Sequence, residues 1–256
     1  MPIGRKGTFL LVVGLLVVVA VLAAILLRPY AVRVPLESAP TGSVVDHATY
    51  YDIDASYPTV TPLADSVGRE ADRAAITQMR SYVDEAVAEF KQEGNFDHLT
   101  PEDIHLMGFD QGRKETLRIS YFSASSTPTV SYIFNLYVDT LGAHGNSTFH
   151  TFTYDLKSGA ALGLEDLFVA HADYLGTLSR LSSARLPDIL GNDSYDTSMV
   201  DMGTAPIEAN FENFFLDGTS LVLLFPPYAV APYSAGSQTL AIPVSELRTL
   251  LKPTYQ

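Results

Sequence analysis

The chain has 256 residues, 47% of them hydrophobic, which is enough for one sizeable core or two small ones. It contains no cysteine, which excludes disulfides, thiolate nucleophiles and cysteine metal sites, and with them the cysteine transpeptidases. The first 35 residues carry four basic and no acidic side chains, so residues 36–256 hold 12 Lys+Arg against 29 Asp+Glu, a net of −17 that repels nucleic acid and favours cationic partners.

Residues 8–27, "TFLLVVGLLVVVAVLAAILL", form an uncharged run with no polar stripe. At 1.5 Å rise per residue, twenty such residues span about 30 Å of hydrocarbon. The run predicts a single-pass transmembrane anchor with residues 1–7 as a short cytoplasmic tail and the remainder outside the cytoplasm. Cleavage after "Val21-Leu22-Ala23" is the alternative, but the apolar run continues past it. Residues 28–45 hold three prolines and no periodicity, and are expected to be a linker.

Beyond the linker, "HATYYDIDASYP" (47–58) alternates as a strand does, with Tyr51, Ile53 and Ala55 on one face. A helix comes next over about 68–92, its Ile76, Met79, Val83, Val87 and Phe90 at helical spacing, with Gly94 ending it. Strands are predicted at 115–125, 128–140 and 147–156, a helical turn at 164–168, and an amphipathic helix at 172–186. Residues 188–206 are polar and rich in Asp, Gly and Ser, as a loop would be. Two strands flank Asp217-Gly218 within 210–225, a last strand covers 237–244, and a terminal helix covers 245–251. Strands and helices mix without strict βα alternation, so the class is α+β with antiparallel pairing. The expected organisation is an N-terminal α+β subdomain at 46–125 and a C-terminal subdomain at 126–256.

No G-x-S-x-G, S-x-x-K, H-E-x-x-H, Walker A or G-x-G-x-x-G motif occurs. The six histidines show no zinc-ligand spacing, so neither a metal nor a cofactor is expected, and enzyme is not the leading class. If there were a hydrolytic centre, His144 with Asp139 or Asp155 would be the first choice. Two other segments stand out. In "LGAHGNSTFH" (141–150), glycines on either side of Ala143-His144 permit positive φ or a close backbone approach, so a tight turn presents one imidazole. In "FPPYAVAPYSAG" (225–236), prolines 226, 227 and 232 end a strand and stiffen the segment after it, so Tyr228 and Tyr233 ride on a rigid corner closed by Gly236.

Together, "DTLGAHGNSTFHTFTYDLKSGAALGLEDLF" and "LVLLFPPYAVAPYSAGSQTLAIPVSEL" strongly resemble a bacterial extracytoplasmic domain of unknown general function. That domain is shared by RsiV-type lysozyme-sensing anti-sigma factors and PdaC-type peptidoglycan deacetylases. "YYDIDASYPTV" and the helix after it resemble the smaller domain that usually precedes it, so the resemblance covers about 47–252. It implies an antiparallel sheet with packed helices, and a binding or sensing module of the cell envelope. The chain departs from both outputs: seven residues before the span cannot hold an anti-sigma domain, and the deacetylase's Asp-Asp and His-Ser-x-x-His motifs are absent. A lysozyme-like basic muramidase is therefore the first expected partner, and peptidoglycan itself the second. An unrecognised hydrolase or deacetylase comes third. Ala143, His144, Gly145, Tyr228, Tyr233 and Gly236 are the expected binding residues, on two segments expected to meet as one recognition edge.

Overall fold

The computed structural model describes residues 40–191 and 196–256. The expected tail, the anchor at 8–27 and most of the linker lie outside these residues. Among the described residues, no helix is long and apolar enough to cross a membrane.

The chain begins with an antiparallel pair, β1 (Thr41–His47) and β2 (Tyr51–Pro58). Residues 41–45, expected as linker, instead form the sheet's first edge. Gly42 permits this, because a Cβ there would lie 2.5 Å from the Tyr57 ring on the partner strand. A one-turn helix α1 (Leu63–Ser66) leads into α2 (Arg69–Gly94). Helix α2 buries Ala75, Met79, Val83 and Phe90 and is closed by Asn95 in the left-handed conformation, not by Gly94 itself. Its buried Asp72 accepts from the Thr61 backbone N–H (2.7 Å) and hydroxyl (2.9 Å), which ties the helix start to the chain leaving β2.

A short helix α3 (Pro101–Met107) comes next, capped reciprocally by Thr100 and Asp103. Then come the long hairpin strands β3 (Glu115–Ser126) and β4 (Thr129–Asp139), and β5 (Asn146–Asp155) with the two-residue β6 (Ala161–Leu162). The expected subdomain boundary at 125/126 falls within the paired β3–β4 hairpin. The six strands run in sequence order. All pairs are antiparallel except β2 with β3, which run parallel, a departure from the uniformly antiparallel sheet expected. Helices α1 to α3 fill the connection between β2 and β3, which is the length a parallel crossover requires.

Alternation along the strands gives the sheet two covered faces. Ile53, Ala55, Leu117, Ile119, Val130, Tyr132, Phe134, Phe152 and Tyr154 pack beneath α2 as one core. The opposite face carries Ser131 and Thr153, both buried and hydrogen-bonded to each other at 2.9 Å. Over that face lies a second, three-stranded antiparallel sheet of β7 (Phe214–Leu216), β8 (Ser220–Phe225) and β9 (Gln238–Pro243). Thr151 joins the two sheets: its hydroxyl donates to the Glu212 carbonyl (3.2 Å) and accepts from the Phe214 N–H (3.3 Å).

The second core lies behind β7–β9, against α4 (Tyr174–Leu190) and the single-turn α6 (Val244–Leu247). Between α4 and β7, helix α5 (Thr197–Gly203) occupies part of the stretch expected to be a loop.

Candidate functional site

Strand β8 ends at Phe225 and the chain enters the proline corner. An Ala229 N–H to Pro226 carbonyl bond (3.1 Å) closes the first turn. Val230 then returns to the second core, 0% exposed, and with Ala231, also buried, pins the corner between its two tyrosines. A 3₁₀ turn at Tyr233–Ala235 comes next and ends at Gly236, whose φ of +69° suits glycine. Tyr228 sits at φ +71° and is 53% exposed. A bulky non-glycine residue in the left-handed region is uncommon, and the strain of such a residue concentrates at functional positions.

The other half of the site is the turn joining β4 to β5. Here the left-handed residue is Leu141 (φ +62°), while the two glycines are not. Asp139 accepts from the Leu141 N–H at 2.9 Å and holds the turn. Gly145 serves the other purpose foreseen for it, close approach: a Cβ there would lie 2.3 Å from the Tyr137 hydroxyl oxygen.

The two segments meet. The His144 ring stacks on Tyr233 with centroids 3.7 Å apart and planes 15° from parallel. Tyr228 lies beside both rings, its centroid 6.2 Å from His144 and 5.5 Å from Tyr233. The hydrogen bonds assign the protons. The Gly145 carbonyl can only accept, so His144 Nδ1–H donates to it (3.0 Å), and so does the Tyr233 hydroxyl (2.7 Å). In the neutral imidazole this leaves Nε2 as an acceptor, and the Tyr228 hydroxyl donates to it at 3.1 Å. Three rings, from segments more than eighty residues apart, thus form one aromatic surface held by hydrogen bonds, with His144 and Tyr228 exposed and Tyr233 half-buried. Ala143 is exposed beside His144, and Gly236 shapes the corner's backbone; neither is part of the stack itself.

The hydrolytic pairing is not assembled. Asp155 stands at the far end of β5 from His144, about 30 Å away along an extended strand of ten residues. There it builds a turn, accepting from Ser158 N–H (2.7 Å) and Lys157 N–H (3.0 Å). Burial pushes its pKa up, but the bonds from Ser158, Lys157 and Tyr255 outweigh that and hold it below the usual range. Asp139 bonds Leu141, not His144. Among the described residues, no group of three or more His, Asp and Glu side chains could hold a metal ion.

Two features are not evident from the sequence motifs. Tyr82 of α2 stacks on His150 of β5 (4.6 Å, 16°) beside a cavity of about 200 Å³ lined by Gln78, His150 and Tyr154. Burial lowers the His150 pKa against an opposing pull from Glu212. Its one signal is a histidine within an alternating strand. The other feature is Glu115, a carboxylate at an inward position of β3 and only 6% exposed. The alternation of Glu115, Leu117 and Ile119 is the signal that places it on the covered face.

Residues 165–245 match the family model described as "Protein of unknown function (DUF3298)". That match falls on the second core, and includes the proline corner. Over 130 residues the chain is 37% identical to the peptidoglycan-N-acetylmuramic acid deacetylase PdaC of Bacillus subtilis, covering half of this chain but only 27% of the deacetylase. Two solved DUF3298 structures share the fold. One, from Bacteroides fragilis, has a TM-score of 0.54 at 18% identity, covering 85% of this chain and 95% of its own. The other, from Pseudomonas aeruginosa, has a TM-score of 0.52 at 16% identity, covering 85% and 96%.

Proposed function

We propose that this chain, carrying a DUF3298 domain and resembling part of a peptidoglycan deacetylase, is an extracytoplasmic binding module of the bacterial cell envelope. Its recognition edge is the His144–Tyr228–Tyr233 surface, and its ligand is a basic, lysozyme-like muramidase. The module is held at the membrane by residues 8–27, and it acts by binding, as an inhibitor or a sensor.

The observation that carries this reading is the stack itself. A hydrogen-bonded group of aromatic rings, exposed at one end of the sheet and including a tyrosine in a strained conformation, contributes little to a core. Rigid tyrosines that lose little entropy on contact are suited to a protein interface. The net charge of −17 over residues 36–256 supports a cationic partner, because complementary charge accelerates encounter.

The test is interferometry of the purified protein against a c-type lysozyme at physiological salt, with an unrelated protein of equal positive charge as control. Selective, saturable binding is expected, weakening as salt rises. Binding no better than the control would remove the muramidase. Peptidoglycan stacking on the same rings, insensitive to salt, is then the reading that sedimentation with purified cell wall would support.

A further inference from the structure

At the same end of the sheet as the stacked rings lies a second feature. A cavity of about 270 Å³, open on one side, lies between the last turn of α2 and the start of β3. It is lined by Phe90, Glu93, Gly94, Met107, Glu115 and Thr140. Two of the six are carboxylates and none is cationic. Glu115 shares its face of β3 with Leu117 and Ile119, so its side chain points toward α2 and into this space. It is 6% exposed, and among the described residues no hydrogen bond or ion pair is made by its carboxylate.

The nearby cations are committed elsewhere. Lys114 bonds Asp52 (2.9 Å), Lys91 bonds Asp46, and Arg113 donates to the Leu141 carbonyl (3.2 Å). Asp139, one residue from the cavity wall, adds a third negative charge and does not neutralise the first two. The carboxylate oxygens open onto the cavity and are not sealed in protein, and two carboxylates with no cation among the lining residues fit a ligand that brings the opposite charge.

We infer that this cavity receives a cationic side chain, arginine or lysine, from a basic protein partner. Phe90 and Met107 supply apolar walls for an aliphatic stem, with Phe90 offering a ring to the charged head, while Glu115 at the base and exposed Glu93 at the rim accept its N–H groups. A hard divalent cation fits less well: it takes six or more oxygens, and a wall half made of carbon supplies too few. Thr140 adjoins the turn that carries His144, so a partner seated on the rings reaches the cavity without leaving the surface. The partner's class rests on the function proposed above, but the cavity's preference for a cation does not.

Two-dimensional NMR tests this with arginine amide as probe and citrulline amide as its neutral isostere. Arginine amide should shift the amides of Glu93, Gly94, Glu115 and Thr140 saturably, citrulline amide should not, and Glu115→Gln should abolish the response. Glu93→Gln, at the exposed rim, should weaken it. Equal shifts from both probes, no shift at all, or an unchanged response in both variants would overturn the inference. Against c-type lysozyme, Glu115→Gln should weaken binding by about tenfold or more, the value of a lost charged hydrogen bond. Undiminished lysozyme binding by that variant would also overturn it. A wild-type protein that ignores lysozyme yet takes arginine amide in the cavity would support the cationic site, with only the muramidase removed.

Discussion

Tyr228 is held where glycine or asparagine is usual, with its ring out in solvent and its hydroxyl on His144 Nε2. Folding alone gives no reason to keep a large ring in that conformation, and a binding role does. Glu115 poses the same question inside the protein. Burial, and then the nearby Asp139, raise its pKa above the ordinary carboxylate value. A raised folded-state pKa means that the protonated form is preferred on folding. That stability is fully present below the unfolded pKa and is lost as pH rises through the raised folded value. At neutral pH the ionised Glu115 is therefore a net cost to the fold. Glu115→Gln is expected to raise Tm at pH 7, with the gain over wild type disappearing by about pH 4, where an unfolded glutamate becomes protonated. Circular dichroism melts at the two pH values check this. An equal shift at both would mean that the effect is packing, not charge.

At the level of elements, the corner is positioned by α5. A Cβ on Gly203, its last residue, would lie 1.9 Å from the Ala229 carbonyl oxygen and 2.7 Å from Val230 Cγ1. Backbone cannot give way as a flexible side chain can, so Gly203→Ala should cost about 1–3 kcal/mol by overpacking. It should also shift Tyr228 off His144. Urea unfolding measures the first effect, and wild-type stability in that variant would mean that helix and corner are not seated on each other. The same packing decides which elements are legible in the sequence. Strands β3, β4 and β5 each face a core, so their alternation is clear, and α2 shows its stripe through Met79, Val83 and Phe90. Strand β1 is an edge strand of alternating half-covered residues in a Pro-, Gly- and Ser-rich stretch, so its composition resembles a linker. Helix α3 buries none of its residues, so it shows no apolar stripe, and its signals lie at its ends: the Thr100–Asp103 cap, Pro101 in the first turn and Gly108 after the last. The parallel β2–β3 pairing depends on the helices that pack between distant strands, which no local pattern records.

For the whole molecule, the two halves of the site are visible in the sequence as a turn with an imidazole and a corner with two tyrosines. Their meeting depends on how the second sheet lies over the first, through contacts such as Thr151 with Glu212 and Phe214. The proton assignment on His144 and the uncompensated charge around Glu115 are likewise products of folded geometry. An acidic chain that gathers its rings and an unneutralised cavity at one end of a sheet has a surface matched to a basic partner. The most direct measurement is the affinity of Tyr228→Gly for a c-type lysozyme relative to wild type, with unfolding free energy measured in parallel. Glycine relieves the left-handed strain while removing the ring and its exposed hydrogen bond to His144, so the two effects offset and stability should change by less than about 1 kcal/mol, while affinity falls by tenfold or more. Lysozyme affinity equal to wild type in a stably folded Tyr228→Gly would contradict the account.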